Sequence, residues 1–211
     1  MIRIGVLGSG SGTNFAALAD AVVNGSLTGV ELALVISDVK NAGILERAAS
    51  YGIPHRYLPA DDYKTKLDGA QEQAYINELR QARVDYVVLA GFMRMVKHGL
   101  LNAFKGRIIN IHPALLPAFP GLASWKQACD YGAKISGCTV HFVDDGMDTG
   151  PIIAQAAVPV RDDDTPETLH TRIQLQEHRL YPHVLQWLAE GRIRIEGRTV
   201  IVTGLEYGAS D

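Results

Sequence analysis

Apolar residues in this chain gather in short runs, and amphipathic stretches separate them. Ile2, Ile4, Val6 and Leu7 predict a first strand, which runs into Gly8-Ser-Gly-Ser-Gly-Thr-Asn14. An Ala- and Leu-rich helix follows, from Phe15 to about Val23. Leu32–Ile36 is a second apolar run, Ile44–Tyr51 a second amphipathic helix, and His55–Leu58 a short third strand. Gln71–Ala82 reads as a helix and Tyr86–Ala90 as a buried strand. This alternation predicts an α/β fold: a mostly parallel sheet with helices on both faces, in a Rossmann-like doubly wound arrangement.

The pattern changes past residue 107. Ile108–Ile111 predicts another buried strand, and Leu115–Gly121, with two prolines and a glycine, a rigid loop. Leu122–Tyr131 looks helical, while Gly137–Val143 and Pro151–Val160 are extended and rich in β-branched residues. A long helix starts near Asp164-Thr165-Pro166-Glu167, where an N-cap and a first-turn proline coincide. Leu169, Ile173, Leu180, Val184 and Leu188 give it an apolar stripe. Arg192–Glu196 and Arg198–Val202 flank a glycine and predict a C-terminal β-hairpin. No internal repeat or linker interrupts residues 1–211, so one domain is expected.

Composition narrows the function classes. An apolar content of 47% supports a sizeable core, and the net charge of −3 gives no general attraction to nucleic acid or an anionic membrane. Cys129 and Cys138 are too few for a disulfide framework or a metal cluster, which fits a reducing cytoplasm. No leader-like or membrane-spanning apolar run is evident, so a soluble cytoplasmic protein is expected.

The candidate chemistry lies in Arg107-Ile-Ile-Asn-Ile-His-Pro113 and Asp144-Asp-Gly-Met-Asp-Thr-Gly-Pro151. Asn110 and His112 are two apart, so an extended strand points both to one face. An amide beside an imidazole can grip a carbonyl oxygen and hold the negative charge that develops on it. Asp148 follows on a Gly-flanked loop that could bring a carboxylate to the imidazole. Together they suggest acyl-type transfer to an amine. The plainer alternative is a structural histidine at a strand end beside an ordinary Asp-Thr-Gly-Pro turn.

Gly8, Gly10 and Gly12 sit between strand and helix, where backbone N–H groups and the helix dipole make an anion site. The dinucleotide fingerprint fails, because Thr13 stands where its third glycine belongs, and no Gly-Lys-Ser/Thr is present. What remains is either a cradle for one phosphate, with Thr13 and Asn14 adding hydrogen bonds, or a tight turn without a ligand.

Six segments carry a resemblance. They are Val6-Leu-Gly-Ser-Gly-Ser-Gly-Thr-Asn14, Val88-Leu-Ala-Gly-Phe-Met-Arg94, Ile109-Asn-Ile-His-Pro-Ala-Leu-Leu-Pro117, Thr139-Val-His-Phe-Val143, Asp148-Thr-Gly-Pro-Ile152 and Gln174-Leu-Gln-Glu-His178. In content and order the chain resembles the folate-dependent, single-domain glycinamide ribonucleotide formyltransferases of purine biosynthesis, over nearly its whole length.

The resemblance implies formyl transfer from 10-formyltetrahydrofolate, a co-substrate, to the amine of glycinamide ribonucleotide, with no metal. It implies that Asn110 and a protonated His112 stabilise the oxyanion and that Asp148 favours the imidazolium and helps move protons. Gly12, Thr13 and Asn14 would hold the phosphate, and Gln174 and Glu177, three apart on one helical face, would reach the ribose or amine end. Phe92, Met93, Arg94, Met95 and Val96, with Asn110 and His141, would meet the folate. It also implies a cis Leu116–Pro117 bond, a phosphate-binding half of about 1–106, and a folate-binding catalytic half of about 107–211. Partners would be small molecules only, with no nucleic acid or membrane, and the protein a monomer or homodimer. Two departures stand out. Gly121-Leu-Ala-Ser-Trp125 lacks a histidine that several relatives carry there, and Asp61–Gly69 matches poorly, so no residue is assigned to the folate glutamate tail.

Related folate enzymes are rival readings. A methionyl-tRNA formyltransferase would need a further domain and a more basic surface. A sugar-nucleotide formyltransferase would lack this phosphate loop together with the Gln-Glu-His helix. A formyltetrahydrofolate deformylase is the nearest rival, because water replacing the amine needs little redesign. A non-catalytic dinucleotide-binding module would need the intact glycine fingerprint.

Overall fold

The structure, a computed structural model, describes residues 1–60 and 65–205, so residues 61–64 of the poorly matching Asp61–Gly69 stretch lie outside the described residues. Strands β1 (Ile2–Leu7), β2 (Val30–Ser37), β3 (His55–Tyr57), β4 (Tyr86–Leu89), β5 (Ile108–His112), β6 (Ile135–Phe142) and β7 (Ile152–Pro159) form one sheet. Their order is β3-β2-β1-β4-β5-β6-β7. The first five run parallel, and β6 pairs antiparallel with both β5 and β7. Helices α1 (Thr13–Val23), α2 (Gly43–Ser50), α3 (Gly69–Gln81), α4 (His98–Ala103), α5 (Ser124–Tyr131) and α6 (Pro166–Ala189) connect and cover the strands. A separate hairpin, β8 (Ile193–Glu196) and β9 (Thr199–Val202), follows α6. The doubly wound, mostly parallel sheet and the terminal hairpin are the architecture the sequence predicts.

Alternation along the strands divides the core in two. Ile4, Val6, Val35, Val88, Ile109 and Ile111 join Phe15 and Leu18 of α1 and Ile173, Tyr181 and Leu185 of α6. Leu7, Leu34, Ile36, Val87, Leu89 and Ile108 turn the other way, toward Tyr75 and Leu79 of α3 and Leu100 of α4. Side chains two apart share a face, so Asn110 and His112 lie on the Ile108 side of β5. Phe92 and Val96, in the segment after β4, pack in that second cluster. Strand β5 therefore buries Ile109 and Ile111 under one helical layer and turns Asn110 and His112 toward the other.

Strand order also locates the cleft. From β1 the chain moves outward to β2 and β3, then returns past β1 to β4 and β5. Connections diverge at the β1/β4 boundary, and such switch points open a crevice at the carboxyl ends of the strands. The loop after β1 and the segment after β4 meet there: Ser9 N donates to Gly91 O at 3.0 Å, and Met93 N to Ser9 Oγ at 2.9 Å.

Three local features differ from the sequence reading. Helix α4 has no counterpart in that reading, because six residues containing Gly99 are too short to display a helical period. The carboxylate of Glu72 lies against Gly99 and accepts from Leu100 N at 2.9 Å, so a side chain at 99 would collide with it. Helix α5 begins at Ser124 rather than Leu122, since Ala123 is left-handed at φ 52°. In α6, Leu180 is half-buried and Tyr181 takes the core position. Four-residue steps from Leu169 through Ile173 reach Glu177 and Tyr181, so the buried stripe contains a carboxylate. The start of α6 is as read: Thr165 is the N-cap, Pro166 opens the helix, and Arg172 braces Asp164 at 2.5 Å.

Candidate active site

Antiparallel pairing of β5 with β6 sets Asn110 opposite His141 and His112 opposite Thr139. Directly opposed residues bring their side chains within reach of each other. Asn110 Nδ2 lies 3.3 Å from His141 Nε2, while His141 Nδ1 donates to Phe142 O at 2.8 Å. The Nδ1 hydrogen leaves Nε2 as an acceptor for the Asn110 amide. Burial lowers the His141 pKa below the usual histidine value, and the Phe142 carbonyl and Asp148 only partly oppose it. The ring is 2% exposed and stays neutral, so it orients the Asn110 amide rather than adding charge.

His112 is held differently. Its Nε2–H donates to Phe119 O at 2.9 Å, and Nδ1 lies 3.4 Å from Asp148 Oδ2. Both ring nitrogens thus face oxygen atoms. Asp148 Oδ2 also accepts from Gly121 N at 2.8 Å, and Oδ1 lies 3.8 Å from His141 Nε2. That last contact joins two acceptors, because His141 is neutral. The structure therefore brings Asn110, His112, His141 and Asp148 into one cluster, its two histidines buried and the other two residues half-buried.

Two loops complete it. In 113–123 the Leu116–Pro117 peptide is cis, and Phe119 and Ala123 have φ of 53° and 52°. Thr139 holds this loop from β6: its Oγ accepts from Leu116 N at 3.0 Å and donates to Ala114 O at 2.7 Å. Gln155 Nε2 donates to Leu116 O at 2.9 Å. In the other loop Asp148 is itself left-handed, φ 55°, a conformation costing roughly 1–2 kcal/mol for most side chains but eased for aspartate. Gly150 lies so close to Phe142 O that no Cβ fits there.

The glycine loop has both a structural and an open component. A Cβ on Gly8 would meet Ile44 Cδ1 at 2.6 Å and Ala90 O at 2.8 Å, and one on Gly12, φ +75°, would meet Ile44 Cα at 2.7 Å. Those two glycines let α2 and the end of β4 pack close. A methyl group added at Gly10 would meet nothing within 4 Å, so packing does not account for that glycine. Helix α1 starts here without a side-chain cap or an acidic residue in its first turn, leaving a positive dipole end at the cleft. Beside it, Asn14 Nδ2 donates to Glu177 Oε2 at 3.0 Å, and Asn14 Oδ1 is buried without a partner among the described residues. Glu177 is 4% exposed, and burial pushes its carboxyl above the usual range against the opposing Asn14 bond. Gln174 is half-buried on the same helix.

In the segment after β4, Met95 N donates to Thr65 O at 2.9 Å and Met95 O accepts from Leu67 N at 3.0 Å. The Arg94 side chain pairs with Asp38 at 2.7 Å. Phe92 and Met95 are half-buried, Val96 is buried and Met93 is 58% exposed. His98 Nδ1 lies 3.1 Å from Asp145 Oδ1, so this segment and the Asp148 loop meet at the surface. Sequence reasoning missed the Phe119 carbonyl, the Gly121 amide, and Thr139 and Gln155, which shape the loop. Backbone groups carry no residue-type signal, though Pro120-Gly121 marks a turn there.

A doubly wound sheet with an amide, an imidazole and a carboxylate converging at β5, one strand beyond its switch point, is a scaffold for one-carbon group transfer. The family model for formyl transferase matches residues 2–185, and the chain belongs to that family. The phosphoribosylglycinamide formyltransferase of Bacillus subtilis is 44% identical over 188 residues, covering 89% of this chain and 95% of that protein. The trifunctional purine biosynthetic protein adenosine-3 of Drosophila pseudoobscura pseudoobscura is 46% identical over 194 residues; the match spans 91% of this chain but 14% of that longer protein. The crystal structure of glycinamide ribonucleotide transformylase 1 from Symbiobacterium toebii superposes with a TM-score of 0.91 at 50% identity, covering 96% of this chain and 94% of its own.

Proposed function

We propose that this chain transfers the formyl group of 10-formyltetrahydrofolate to the amine of glycinamide ribonucleotide, giving formylglycinamide ribonucleotide and tetrahydrofolate. The observation that carries the reading is the joining of two half-sites across the switch point. The uncapped α1 N-terminus with Asn14 and Glu177 lies at β1, and the Asn110–His112–Asp148 cluster lies at β5. These strands are two spacings apart, with β4 between them, roughly 10 Å, a span that suits the phosphate-to-amine length of a small ribosyl amide. The names of the relatives agree with it.

In this reading the α1 N–H groups, with Gly12, Thr13 and Asn14, bind the phosphate. Glu177 and Gln174 take the ribose hydroxyls or the amine end, for which a buried carboxyl and a half-buried amide are suitable partners. Folate lies along Phe92–Val96, where Phe92 and Val96 add apolar surface and the Arg94 side chain pairs with Asp38.

The amine nitrogen attacks the formyl carbon, and the bond from that carbon to the folate nitrogen breaks. Asn110, its amide fixed by His141, donates to the oxygen that becomes negative. His112, locked between Phe119 O and Asp148, supplies positive charge beside it. Asp148 carries the proton that the amine loses toward the departing folate nitrogen. No metal enters this scheme, and among the described residues no group of three or more His, Cys, Asp or Glu side chains is disposed to hold one.

A cytoplasmic setting accompanies the reading. Cys129 and Cys138 are free thiols, and burial pushes Cys138 up to about 12, far from thiolate chemistry. Among the described residues no helix is long and apolar enough to cross a membrane. The test uses 10-formyltetrahydrofolate carrying carbon-13 in its formyl group. Label recovered in the ribonucleotide supports transfer; label recovered only in formate refutes it.

A further inference from the structure

The formyl transferase match ends at residue 185, yet the hairpin beyond it reaches the catalytic loop. Its base is fixed: Ile193, Val200, Val202 and Leu205 pack against the main core, and β9 lies against β7. Thr203 N donates to Arg192 O at 2.9 Å, and Arg192 Nε to Thr203 O at 2.7 Å. At the tip, Glu196 pairs with Thr199 across a two-residue turn whose first central residue is Gly197, φ +59°. The second is Arg198, and its guanidinium donates to the carbonyl of Thr149.

Thr149 directly follows Asp148, so this bond grips the loop one peptide away from the catalytic carboxylate. The grip matters because Asp148 is a left-handed, non-glycine residue that its surroundings must hold in place. From inside the loop, Asp144 Oδ1 accepts from Gly146 N at 3.1 Å and from Thr149 Oγ at 2.6 Å. From the far side, Gly121 N holds the carboxylate. Arg198 supplies the outer hold, from an element with its own anchorage in the core.

We infer that Arg198 is a positioning residue for Asp148, making the C-terminal hairpin part of the catalytic apparatus. This rests on the reading that Asp148 acts in the transfer. Loosening the loop displaces the carboxylate from His112 without touching Asn14 or Glu177, so the effect falls on kcat and spares the KM for the ribonucleotide.

The test compares Arg198→Ala, Arg198→Lys, Asp148→Asn and the Arg198→Ala/Asp148→Asn double variant of the whole chain, each confirmed folded by circular dichroism. A misplacement well under 1 Å predicts about a tenfold loss of kcat in Arg198→Ala, with an unchanged ribonucleotide KM. Arg198→Lys, which keeps a charged donor, recovers part of the loss. In the Asp148→Asn background, Arg198→Ala causes no further loss, because the group it positions is already gone. An Arg198→Ala kcat within twofold of the parent overturns the inference while leaving the Asp148 reading intact. The same tenfold loss repeated in the Asp148→Asn background also overturns it, marking a general structural effect. Full activity of Asp148→Asn alone removes the underlying reading, and the inference with it.

Discussion

Replacing Asn110 by alanine separates catalysis from folding at a single side chain. In the proposed mechanism the substitution removes the amide that donates to the developing oxyanion; it also removes the donor 3.3 Å from His141 Nε2. Loss of one oxyanion donor typically costs on the order of 10²–10³ in kcat, about 2.7–4 kcal/mol of transition-state stabilisation. Leaving a buried acceptor unpaired adds a stability cost of about 1–3 kcal/mol, and His141 is 2% exposed. In a chain of this size each kcal/mol lowers Tm by roughly 2–4 °C, so the variant should melt several degrees lower yet remain folded at 25 °C. Asn14 and Glu177 lie at the β1 end, so the KM for glycinamide ribonucleotide should hardly change. The assay is steady-state formation of tetrahydrofolate at saturating co-substrate, with calorimetry on the same sample. A folded Asn110→Ala protein with near-normal kcat would show that the amide does not meet the reacting oxygen.

Four more substitutions have expected outcomes. Gly10→Ala should keep Tm within about 1–2 °C, since an added methyl meets nothing, while raising the ribonucleotide KM; Gly12→Ala should destabilise strongly, because its Cβ lies 2.7 Å from Ile44 Cα at φ +75°. An unchanged KM in Gly10→Ala would leave the loop as a turn. Asn14→Ala should raise the ribonucleotide KM and, by removing the bond that lowers the Glu177 carboxyl, shift that group's titration to higher pH in a KM–pH profile. A profile that stays in place would separate Glu177 from the ribonucleotide site. The Arg172 guanidinium holds the Asp164 carboxyl far below the usual carboxylate range. The folded-state value is depressed, so the pair's stability is present above the unfolded value of ~3.9 and lost as pH falls below it. Asp164→Asn should therefore lower Tm at pH 7, with the gap narrowing in acid; a gap independent of pH would contradict the assignment.

The parts of the fold that follow from periodicity were legible in the chain. Buried runs such as Tyr86–Ala90 and Ile108–Ile111 predicted central strands, and the spacing of Asn110 and His112 predicted a shared face. His141 was legible only as a strand histidine, because its place opposite Asn110 depends on the antiparallel register of β6. Phe119 and Gly121 contribute backbone atoms, which any residue could supply, so no side-chain pattern reveals them. Glu177 is the sharpest contrast: a glutamate on a long helix suggests a solvated face, yet four-residue steps from Ile173 bury it against Asn14, a residue 163 positions away. Local pattern predicted elements and faces; long-range pairing decided which polar groups meet.

The central claim is tested most directly by the rate of tetrahydrofolate release from 10-formyltetrahydrofolate, with and without glycinamide ribonucleotide, in the parent protein and in folded Asp148→Asn. Release should require the ribonucleotide in the parent and fall to near background in the variant. Release without the ribonucleotide, or parent-like release from Asp148→Asn, would contradict the claim.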